Sequence, residues 1–115
     1  MLYLLMVIIY KEKYLESILS TLVEVGILNS NVIEARSFEE ALPLSVPVFG
    51  GLKFTMEGEK PFSRLVLALV DTEEIIHEID SILKESQIDI SSQKICEIFT
   101  VPISNALGRK PYMEV

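Results

Sequence analysis

The sequence predicts an α+β domain of the ferredoxin-like type, a βαββαβ chain whose two helices cover one face of an antiparallel sheet. Three observations carry that expectation. Two nearly all-apolar runs, MLYLLMVIIY at the start and RLVLALV from Arg64, have the length and β-branched content of central strands. Each is followed by a segment in which apolar residues recur at three- and four-residue steps. Between these halves lies a stretch holding Pro43, Pro47, Gly50, Gly51, Gly58 and Pro61, which no single regular element can contain.

Leu2 to Tyr10 reads as strand one, apolar enough to be buried on both faces. From Tyr14, the residues Leu15, Ile18, Leu19, Leu22 and Val23 make one helical face, with Glu16, Ser17, Ser20 and Glu24 opposite and Gly26 as the stop. Asn29-Ser30-Asn31 turns the chain into strand two, expected over Val32 to Phe38 from its short alternation. The excursion from Glu39 to Ser63 is expected to carry its own hairpin, Val46 to Phe49 against Leu52 to Met56, with Gly50-Gly51 at the turn. A phosphate-cradling loop is the competing reading of VFGGLKF; the strand-forming flanks favour the hairpin, sited where a partner or ligand is met.

Arg64 to Val70 supplies strand three. Asp71 with Glu74 reads as a capping box opening a helix whose apolar face is Ile75, Ile76, Ile79, Ile82 and Leu83. A polar link, Gln87 to Gln93, leads to strand four over Lys94 to Val101, and Pro102 is expected to begin a short helical turn through Ala106. One sheet face remains open in this arrangement and needs a cover.

At 115 residues and 50% hydrophobic content, the chain forms one domain, 1–115, with a core large enough to need no staples. Cys96 is the single cysteine, so no internal disulfide exists and the expected compartment is the reducing cytoplasm. A net charge of -7, spread along the chain, opposes broad contact with nucleic-acid phosphates. The apolar opening lacks the basic start and small-residue cleavage site of an export signal, and no run reaches the roughly 20 apolar residues of a membrane span.

No catalytic constellation stands out. Cys96 falls on an alternating core strand and the single histidine, His77, on a helix, so no nucleophile has a base beside it; the chain is read as a non-enzyme. Glu73 and His77 are the one neat four-residue pair for a metal, and without a second histidine a solvated helix face is the better reading. Lys11, Lys13, Arg36, Lys53, Arg109 and Lys110 are candidates to line a cleft for an anionic ligand, each weighed against simple surface solvation.

The stretches MVIIY, GILNSNVIEARSF, RLVLALVDTEEIIHEIDSIL and IFTVPISNALG resemble, in order and spacing, the core of the PII-type signalling proteins. The resemblance covers nearly the whole chain outside the 39–63 loop. It implies a homotrimer whose open sheet faces meet around a three-fold axis, and a small effector held in clefts between subunits. It also implies a long loop that docks onto a protein partner such as a transporter or enzyme. On that resemblance Arg36, Phe38, Lys53, Lys94, Arg109 and Lys110 become ligand candidates, and Phe49, Gly50, Gly51 and Leu52 the partner-docking tip. A CutA-like metal-binding trimer, which shares the fold, is the alternative.

One stretch departs from the family. Its nucleotide-binding loop is glycine-rich and ends in a lysine that reaches ATP phosphates, whereas Asp89 to Glu97 contains no glycine and register places Glu97 at that lysine. Lys94 substitutes for it only if the register slips. This departure counts against ATP and 2-oxoglutarate as the effectors.

Overall fold

The computed structural model describes residues 1–42, 62–92 and 94–108, together with the backbone but not the side chain of Glu39. The strands are β1 (Tyr3–Ile9), β2 (Ser30–Glu34), β3 (Arg64–Val70) and β4 (Cys96–Pro102), and they form one sheet in the order β2-β3-β1-β4. All pairings are antiparallel, as the ferredoxin-like expectation requires. Helix α1 (Leu15–Glu24) follows β1 through a 3-10 turn at Glu12–Tyr14, α2 (Phe38–Ala41) follows β2, and α3 (Ile75–Glu85) follows β3.

The two longer helices bury one face of the sheet. Leu5, Val7 and Ile9 of β1 and Val66 and Ala68 of β3 pack against Ile18 and Leu22 of α1 and Ile75, Ile79 and Leu83 of α3. Removing such side chains from water at about 25 cal/mol per Å² is the main term that holds the layers together. α1 ends where Gly26 takes φ +92, so that its N–H and that of Ile27 reach back to the Val23 and Leu22 carbonyls.

The other face follows from the register. Leu4, Met6 and Ile8 of β1 stand beside Leu69, Leu67 and Leu65 of β3 on one side and Val101, Phe99 and Glu97 of β4 on the other. β1 alternates buried and half-buried residues, so within one chain it is covered on one face only, not on both. Apolar content had promised full burial, but among the described residues there are two long helices and both lie on the same side.

Four further expectations are corrected. Strand two stops at Glu34 rather than Phe38, because Ser37 and Glu40 form a reciprocal capping box that starts α2. The Asp71 capping box does not form: Thr72 Oγ1 accepts from the Glu74 N–H, and Glu73 is taken up by the Tyr3 hydroxyl at 3.1 Å. Strand four begins at Cys96 rather than Lys94, whose φ of +50 lies outside the strand region. Pro102 opens no helix among the described residues. It is the last residue of edge strand β4, paired with Tyr3, and Ile103 continues the ladder to the Leu2 carbonyl at 2.9 Å. An edge position tolerates the missing proline N–H. The hairpin expected over Val46 to Met56 lies outside the described residues.

Candidate functional site

Antiparallel pairing brings the C-terminal ends of β1 and β2 and the N-terminal ends of β3 and β4 to one end of the sheet. This is the end from which the 39–63 excursion departs and to which it returns. Ser63 closes its base by accepting the Ala35 N–H at 3.1 Å, one step beyond the β2–β3 ladder.

A cleft of about 420 Å³ opens there, lined by Glu12, Glu34, Arg36, Glu40, Phe62 and Arg64 together with Ala35 and Ser63. Its cations are already engaged. Arg36 donates to the Glu40 carbonyl at 2.8 Å, tying the start of the excursion to α2. Arg64 meets the Glu34 carboxylate at 3.3 Å, donates to the Ser63 carbonyl at 3.1 Å and lies 4.5 Å from the centre of the Phe62 ring. Glu34 and Arg64 are directly opposed in register, which fixes this pair.

At the same end of the sheet, on the open face, the Tyr10 hydroxyl donates to Glu97 and Lys94 places its ammonium 5.5 Å from the Tyr10 ring centre. The Tyr10 N–H also reaches the Ile95 carbonyl at 2.9 Å, so backbone and side chain both hold this corner. The carboxylate beside it, with partial burial, pushes the Tyr10 phenol up to about 12. Cys96, one residue away but on the core face, is pushed up to about 11 by burial, then by Glu97, which keeps it an inert thiol.

Of the anticipated ligand residues, Arg36 lines the cleft, whereas Lys94 does not and lies over the Tyr10 ring instead. Phe38 is 73% exposed as the first residue of α2 and does not line the cleft. Lys53, Arg109 and Lys110, with Phe49, Gly50, Gly51 and Leu52, lie outside the described residues. Lys13 sits over the Tyr14 ring at 5.1 Å. Arg36 alone of the cleft residues was a candidate from the sequence; Glu12, Glu34, Ala35, Glu40, Phe62, Ser63 and Arg64 were not. The signal for Arg64 was its place as first residue of the strand that closes the excursion Arg36 opens.

His77 is exposed on α3 and borders a separate shallow groove with Glu24, Glu74 and Glu78. Its expected partner Glu73 accepts from Tyr3 instead. Among the described residues no group of three or more His, Cys, Asp or Glu is placed to hold a metal, and no helix is long and apolar enough to cross a membrane.

No family model and no curated protein matches the sequence. The crystal structure of Arabidopsis thaliana PII bound to citrate superposes with a TM-score of 0.52 at 17% identity, covering 90% of this chain and 78% of that one. The fold is that of PII. The PII-like sheet order, the helices on one face and the excursion between β2 and β3 are thus in place, which bears out the resemblance seen in the sequence at the level of fold.

Proposed function

We propose that this protein is a PII-like regulator. Three copies associate through their open sheet faces, a small effector binds in the clefts between them, and the 39–63 loop carries the signal to a protein partner such as a transporter or enzyme. It acts by binding rather than by catalysis, in the cytoplasm. The tail residues Arg109 and Lys110 and the loop residue Lys53 reach the effector together with Arg36 and Lys94, and Gly50-Gly51 with Phe49 and Leu52 forms the docking tip.

The observation that carries this reading is the open face. Its rows on β1 and β3 are entirely apolar, β4 adds Phe99 at 42% and Val101 at 44% exposure, and among the described residues no helix covers it. An apolar surface of that extent is an interface in waiting, and one domain, 1–115, contributes it once per copy. The cleft at the loop end adds support: an effector there touches α2 through Arg36 and Glu40, and so biases the base of the loop.

Native mass spectrometry of the purified protein tests the reading. A trimer carrying ligand mass in whole multiples supports it and gives the effector's mass. A monomer at all concentrations sinks the assembly and the inter-subunit clefts with it.

A further inference from the structure

The ligand that the PII resemblance implies, a nucleoside triphosphate, needs a cation and approachable backbone N–H groups for its phosphates. The corner of the sheet that would meet it offers the reverse. Glu97 stands exposed at the start of β4, opposite Ile8 in register, with its carboxylate held in place by the Tyr10 hydroxyl. The cation nearest in sequence, Lys94, has its backbone in the left-handed region and its ammonium over the Tyr10 ring. In the cleft at the same end of the sheet, Arg36 is spent on the Glu40 carbonyl and Arg64 on Glu34 and Ser63. The stretch from Asp89 to Glu97 has no glycine, so Cβ atoms stand between its backbone and an incoming phosphate. The residues present do not fit the group.

We propose that Glu97, fixed by Tyr10, is a specificity-determining residue that excludes polyphosphate ligands from the loop end of the sheet. The proposal rests on the reading that this end is the effector cleft. Phosphate oxygens brought within a few ångströms of a fixed carboxylate are repelled in a partly desolvated site far more than in bulk water.

The experiment is isothermal titration with Mg-ATP on the wild-type chain and on Glu97→Gln and Glu97→Lys, with light scattering on the same samples. Wild type is expected to give no saturable binding up to millimolar ATP. Glu97→Gln, which keeps an acceptor for Tyr10 but loses the charge, and Glu97→Lys are expected to bind in increasing order, the lysine variant at least tenfold more tightly than the glutamine one. Micromolar binding by wild type overturns the proposal, as does failure of both variants to bind while they stay folded by circular dichroism. A monomer in the scattering data defeats the trimer reading separately. A gain of binding by a monomeric Glu97→Lys still supports the exclusion.

Discussion

The Tyr10 hydroxyl donates to the Glu97 carboxylate, joining the residue just past the end of β1 to the second residue of β4. The bond raises the Tyr10 phenol from its ordinary value of 10.0 to about 12. A group whose pKa is raised by folding contributes stability that is complete below its unfolded value and is lost as pH climbs through the folded one. Thermal stability is therefore expected to fall between about pH 10 and pH 12, and Tyr10→Phe should flatten that fall while costing stability below it. Melting curves at pH 9 and pH 11 on both chains decide; an equal loss in the two would assign the alkaline transition elsewhere.

Phe99 is 42% exposed in the middle of the open face, beside Met6. Phe99→Asp puts a charge where copies are proposed to meet, and a covered unpaired carboxylate is costly. The variant is expected to be monomeric by light scattering with its circular dichroism unchanged. An oligomer of undiminished stability would move the interface to another surface.

Ser37 caps α2, accepting the Glu40 N–H at 3.3 Å while Glu40 returns a bond to the Ser37 N–H. Ser37→Ala removes this and should cost about 1 kcal/mol locally. The readout is amide exchange at Glu40, which should speed up several-fold while exchange in β1 is unchanged.

Arg64 and Glu34 form an ion pair, but the Glu34 side chain is 84% exposed. Solvent screening leaves such a pair at most about 1 kcal/mol. Glu34→Gln should hardly move the melting temperature, whereas Arg64→Ala, which also uncovers Phe62, should lower it measurably.

Ile79 is fully buried between α3 and the sheet. Ile79→Ala is expected to cost about 2–5 kcal/mol, the loss of transfer energy plus the cavity left behind. Urea denaturation with an unchanged slope checks this.

The sequence by itself determined the element order and the core. The apolar runs of β1 and β3, the periodicity of α1 and α3 and the stop at Gly26 are local signals, and periodicity is written residue by residue. Local signals also compete, and there only tertiary structure decided. Ser37-x-x-Glu40 overrode a strand-like alternation, while Asp71-x-x-Glu74 failed as a cap because Thr72 took the Glu74 N–H it needed. Arg36 and Arg64 are 28 positions apart in the chain and line one cleft only because β2 and β3 pair in one register. The same holds for Tyr10 and Glu97, brought together by the β1–β4 ladder. A cleft made of strand ends depends on which strands are neighbours, and that is fixed by how the layers bury their apolar faces, not by any short stretch of residues.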